Sequence, residues 1–126
     1  MEARSDVTIS RLYLRFLEDA MKIYGDNTIQ VVFWQFEKDN RLMRSEIYLH
    51  PDLFVQALQS IFGVGTSLVA RTIIVRLKQM IPDFESSDLM EALRRLRRYL
   101  NETSNPDNME FVDVAVTNLS QEQKLH

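Results

Sequence analysis

The chain contains no cysteine, and of its two histidines one, His126, is the last residue. Without cysteine there is no disulfide framework, no thiolate nucleophile and no sulfur-rich metal set. That composition suits a reducing compartment, and a cytoplasmic location is expected. His50 then stands alone. Glu46 and Asp52 flank it, but one histidine and two scattered carboxylates make a poor zinc set, so no metal and no cofactor are expected. Long hydrophobic runs are also missing. The apolar stretches are broken by Arg, Gln or Gly well short of the roughly 20 residues a membrane helix needs. The opening MEARSDVTISR lacks the apolar run of a secretory signal. A soluble protein with no membrane partner is expected. Strong basicity, the footprint of many nucleic-acid binders, is absent too: net charge is −3. No internal repeat is evident.

What is present is enough for one folded domain. The 126 residues are 45% hydrophobic, so a core can form without covalent staples. The charge is uneven. Residues 101–126 carry five acids and one lysine, net −4, so the first hundred residues sum to +1. Residues 63–81 hold Arg71, Arg76 and Lys78 and no acid, and four arginines crowd residues 94–98.

Periodicity predicts most of the elements. Ile9, Leu12, Tyr13, Phe16, Leu17, Ala20 and Ile23 recur at helical spacing, which predicts a helix over 9–23. Tyr13 is expected to bury its ring and keep its hydroxyl near the edge of that face. Gly25-Asp26-Asn27 reads as the stop and a turn. Residues 28–37, TIQVVFWQFE, are two-sided. Strand propensity is high, yet Ile29, Val32, Phe33 and Phe36 form a helical stripe and Asn27 with Gln30 could cap it. Helix is the preferred reading, and a hairpin over 28–49 the rival. Pro51 and Asp52 open a helix over 51–62. Gly63-Val64-Gly65 punctuates it, with Thr66 or Ser67 as a cap, and a further helix runs over 67–81 until Pro82 stops it. The last helix begins at Ser87 or Asp88 with Leu89, Leu93, Leu96 and Leu100 on one face. Residues 101–108 read as a linker, 109–116 as a strand or arm, and 118–126 as a frayed tail. The expected fold is therefore mainly α, a compact single domain of five helices, with an α+β variant if 28–49 were a hairpin or the C-terminal strand forms.

One stretch carries a more specific pattern. EIYLHPDLFVQALQSIFGVGTSLVARTIIVRLKQMI, residues 46–81, has Pro51, Phe54, Ala57-Leu58, Ile61-Phe62-Gly63, Gly65 and Ile73 with Leu77. In these features it resembles a small helical module of archaeal proteins, the output domain of thaumarchaeal signalling proteins. The resemblance implies helix for 28–37 and a signalling or regulatory context. It implies no catalytic residue.

Few residues suggest chemistry. Gly63-x-Gly65 lacks the strand and the Gly-Lys-Ser/Thr step of a phosphate loop, and reads as a helix–helix corner. The acids are scattered, and helix-end preference accounts for Asp83, Glu85 and Asp88. No enzyme activity and no small-molecule substrate are expected. The sharpest polar feature is Arg94-Arg95-x-Arg97-Arg98. Arg94, Arg95 and Arg98 project from the surface and are taken as polar-recognition candidates, with Arg97 near the boundary of the buried face, although Glu91 can pair with Arg94 or Arg95. Aromatic and aliphatic residues in 31–36 and 67–81 exceed what one helical stripe hides. Trp34, Phe36 and Ile74 are the candidates for an apolar contact with another subunit. The expected function is a non-catalytic regulatory or protein-interaction module, partnered as a homodimer or by another protein. Nucleic-acid binding through the arginine-rich helix is the alternative.

Overall fold

A computed structural model describes residues 2–103, with side chains from residue 6 onward. Among the described residues there are five α-helices and no strand. They are α1 (Glu2–Ala20), α2 (Asp26–Asn40), α3 (Pro51–Phe62), α4 (Thr66–Met80) and α5 (Leu89–Thr103). Short 3-10 turns cover Lys22–Tyr24, Arg44–Leu49 and Gly63–Gly65. The fold is mainly α. The arm at 109–116 and the tail at 118–126 lie outside the described residues, while residues 101–103, read from sequence as linker, are the last turn of α5.

The α1 stripe builds the core. Ile9, Leu12, Tyr13, Phe16, Leu17 and Ala20 are all buried, and α1 packs against α4, α5 and the Arg44–Leu49 turn. Ile23 departs from the expected stripe. The α-helix ends at Ala20, the 3-10 turn re-aims the side chains, and Ile23 is 81% exposed. Tyr13 also departs from expectation. Its hydroxyl is not at an edge but buried, donating to the Leu93 carbonyl at 3.3 Å, and burial pushes its pKa up.

Segment 28–37 is helix, not hairpin. Ile29, Val32, Phe33 and Phe36 bury against α3 and the rest of the core, and the 3.6-residue period prevails over strand propensity. The start differs from the expected turn and cap. Gly25, at φ 91°, accepts the first helical bond from Ile29, so Asp26 and Asn27 are already the first turn. No side chain caps it. Arg41 ends α2 in the left-handed region, and Asn40 Nδ2 donates to the Phe36 carbonyl.

α3 opens at Pro51 as expected, with the His50 carbonyl accepting from Leu53 and Phe54. Gly63, at φ 55° and ψ −125°, breaks the helical path in a region that side chains disfavour. Thr66 does not cap α4; its hydroxyl donates to the Gly63 carbonyl at 2.7 Å and tightens the corner. α4 ends at Met80, and Ile81 before Pro82 is extended. Asp88 caps α5 by accepting the Glu91 N–H at 3.1 Å. Ser86 donates to the Glu91 carboxylate and so joins loop to helix.

Phe36 is fully buried and Trp34, two residues away, is 53% exposed. Phe36→Ala is expected to cost about 3–5 kcal/mol. Trp34→Ala should cost less than about 1 kcal/mol. Urea unfolding midpoints of the two variants measure the contrast, and equal losses would contradict this placement.

Candidate functional site

A groove of about 620 Å³ runs between residues 48–52 and the outer face of α5. Tyr48, Leu49 and Pro51 form one wall, Met90 contributes apolar surface beside the fully buried Leu93, and Arg94, Arg97 and Arg98 line the other side with Asn101. The leucine stripe of α5 faces the core: Leu89, Leu93, Leu96 and Leu100 are buried. That fixes the rotation of the helix and sends Arg94 and Arg98, one turn apart, to solvent. Arg97 is half-buried and sits over the Tyr48 ring, its guanidinium carbon 5.4 Å from the centroid. Tyr48 in turn leans on Tyr13, with ring centroids 6.3 Å apart, so the groove wall is tied to the core.

An ion pair adds to the buried Ile47 and to the hydrogen bond from Ser10 Oγ to the Ser45 carbonyl in holding the wall in place. Arg44, at the start of the 3-10 turn, donates from its backbone N, Nε and Nη2 to the Glu37 carboxylate at 3.0, 3.1 and 3.2 Å. Its Nη1 reaches Gln30 Oε1 at 2.6 Å. These bonds anchor the turn that carries Tyr48 and Leu49 onto α2. The Arg44 side-chain hydrogen bonds hold the Glu37 carboxyl below its ordinary value, against a smaller opposing effect of burial.

The arginines divide into two groups. Arg95 is outside the groove and pairs with Glu91 at 3.7 Å, a partly exposed bridge of helical spacing. Arg95 is thereby set apart from Arg94 and Arg98, which line the groove. Among the described residues no ion pair involves Arg94, Arg97 or Arg98, and Asp52 is the one acid lining the groove. The arrangement is a cationic ledge beside an apolar wall. It can bind an anionic group by charge-assisted hydrogen bonds and hold apolar neighbours beside it.

The sequence-based contact candidates fare unequally. Trp34 is half-exposed beside exposed Val31, with the Lys38 ammonium 4.9 Å from its ring centre. Phe36 and Ile74 belong to the monomer core, at 0% and 8% exposure, which corrects their assignment to a subunit contact. α2 buries one stripe, Ile29, Val32, Phe33 and Phe36, and α4 buries Val69, Ile73, Ile74, Leu77 and Met80; the surplus apolar residues Val31, Trp34, Leu68 and Val75 stay exposed. Arg97, read from sequence as lying near the boundary of the buried face, was not among the recognition candidates, and neither was Tyr48. The signal for Arg97 was its position four residues after Leu93 and three before Leu100, at the edge of the buried face. Nothing in sequence spacing announced Tyr48. The Glu46 carboxylate accepts the Met43 N–H at 2.9 Å, and His50 contributes its backbone to the start of α3. Among the described residues no group of three or more His, Asp or Glu could hold a metal ion.

No family model, curated protein or solved structure matches the chain.

The Glu37–Arg44 pair makes a signed pH prediction. A carboxyl whose folded pKa is lowered adds stability that is fully present above its unfolded value, about 4.3. That stability is lost as pH falls through the folded value. Wild-type protein should therefore lose urea stability below about pH 4.3 more steeply than Glu37→Gln. Superimposable pH profiles would show that the pair does not anchor the turn.

Proposed function

We propose that this protein is a non-catalytic interaction module whose α5 groove holds an acidic, partly apolar segment of a partner protein. The observation that carries the reading is the set of three arginines, Arg94, Arg97 and Arg98, without ion-pair partners among the described residues, beside Leu49, Pro51 and Met90. Guanidinium groups bind carboxylates by paired N–H bonds. The apolar wall has no use for a phosphate backbone but accepts side chains that flank an acid. The groove's own Asp52 and the net charge of −3 also oppose a polyanion more than a short acidic segment. Residues 107–116 of this chain, DNMEFVDVAV, have the required composition. A second copy is therefore a natural partner, in keeping with a homo-oligomeric regulatory role and with the signalling context that the resemblance of residues 46–81 implies.

The test is fluorescence anisotropy with a labelled peptide, DNMEFVDVAV, and separately with a labelled DNA duplex. The peptide should bind, and Arg94→Glu with Arg98→Glu should weaken it at least about tenfold, since charge-assisted bonds of this kind contribute about 1.5–3 kcal/mol each. Both arginines are exposed, so the unfolding midpoint should hardly move. Failure of the peptide to bind, or binding indifferent to the two substitutions, would sink the proposal. Tight binding of the duplex that falls linearly in log–log salt plots would transfer the groove to nucleic acid.

A further inference from the structure

A second surface lies on the Lys22–Tyr24 turn, the α3–α4 corner and α4, and its chemistry differs from that of the groove. Four of the large exposed apolar side chains are Ile23, Val64, Leu68 and Val75, at 81%, 102%, 63% and 47% exposure. They belong to one patch. The Tyr24 ring packs tilted against Phe62 with centroids 5.6 Å apart, and its hydroxyl donates to Thr72 Oγ1 at 3.0 Å. That seats the Lys22–Tyr24 turn beside the α3–α4 corner. Leu68, Thr72 and Val75 follow one face of α4, and Ile23, Thr72 and Val75 share the walls of one shallow depression of about 630 Å³. Val64 stands at the tip of the corner.

The charges around this patch have one dominant sign. Lys22, Arg71 and Arg76 rim the depression, with Asp19 as the one acid among its lining residues. Between Leu53 and Pro82 the sequence has no acid at all. The stretch Pro51–Met80 is also long and apolar enough by composition to cross a membrane, yet only 22% of its most apolar 18-residue window is buried. The segment gives Phe54, Leu58, Val69, Ile73 and Leu77 to the core and is divided by a glycine corner, so the apolar side chains it leaves exposed, Val64, Leu68 and Val75, fit a bilayer interface rather than a span. A second copy is a poor occupant. Two-fold pairing would set this cationic rim against itself.

We infer that the α3–α4 corner and the adjoining face of α4 dock on an anionic lipid bilayer. Ile23, Val64 and Leu68 enter the interface, and Lys22, Arg71 and Arg76 meet the headgroup phosphates. Protruding aliphatic side chains gain from leaving water, and the cations supply the preference for anionic over neutral lipid. This sets aside the sequence-based expectation of no membrane partner, which addressed spanning segments and not a surface assembled by folding. It is independent of the α5 groove.

The test is co-sedimentation of the full chain with vesicles of phosphatidylcholine alone and of phosphatidylcholine mixed with phosphatidylglycerol. The protein should sediment with the mixed vesicles and only weakly with the neutral ones. Val64→Asp and Leu68→Asp should each lower the partition coefficient roughly tenfold or more. Arg94→Glu, in the groove, should change it by less than about twofold. Because Trp34 is the sole tryptophan, a Val64→Trp, Trp34→Phe variant reports directly on the corner. Its emission should shift to shorter wavelength on the mixed vesicles. Absence of sedimentation, equal binding to neutral vesicles, or binding untouched by both aspartates would overturn the inference. So would self-association that Leu68→Asp abolishes in a protein that ignores vesicles, which would assign the face to a second copy.

Discussion

The burial of one face of α1 is the constraint on which the other elements depend. Tyr13, Phe16 and Leu17 are fully enclosed, and α1 touches α4, α5 and the turn that leads into α3. Each of those elements buries its own apolar face against this helix or against a neighbour already packed on it. The hydroxyl of Tyr13 adds direction to what would otherwise be non-directional packing. Its bond to Leu93 sets the height of α5 along α1, and its ring meets Tyr48, which in turn lies under Arg97. A core contact thereby reaches the arginine groove through three side chains.

Charge is distributed so that the core helices present different surfaces. α5 puts Arg95 into a bridge with Glu91 and leaves Arg94 and Arg98 facing the groove. α4 carries Arg71, Arg76 and Lys78 without a single acid on the same helix. The Glu37–Arg44 pair serves another purpose. It clamps a short 3-10 turn that has only Ile47 fully buried, and a turn with so little apolar anchorage needs polar fixing to hold a wall in position. The two proposed surfaces, one a cationic groove with an apolar wall and the other an apolar tip with a cationic rim, are separate faces of the fold.

Much of this was legible along the chain, and the failures share a cause. Helical spacing marked α1, α3, α4 and α5 because each buries a stripe that recurs every three or four residues. Pro51, Gly63 and Pro82 punctuate the chain for local steric reasons that hold in any context. The segment 28–37 was two-sided because β-branched and aromatic residues satisfy both periods over so short a run. The choice fell to tertiary packing against α3. Ile23 and Tyr13 were misplaced because a stripe extended past the end of its helix loses its phase, and because a spacing argument cannot see a carbonyl eighty residues away.

The sequence by itself determined the class and the count of helices, the main breaks between them, and the leucine stripe that turns the arginines of α5 outward. These depend on local sterics and on short-range periodicity, which a linear string contains. Only the tertiary structure decided which surplus apolar residues are core and which are surface, separating Phe36 and Ile74 from Trp34, Val64 and Leu68. It alone brought Tyr48 beneath Arg97 and Tyr24 onto Phe62. Those outcomes depend on how many neighbours cover each helix and from which side. That is a property of long-range packing, which no spacing within a single helix encodes.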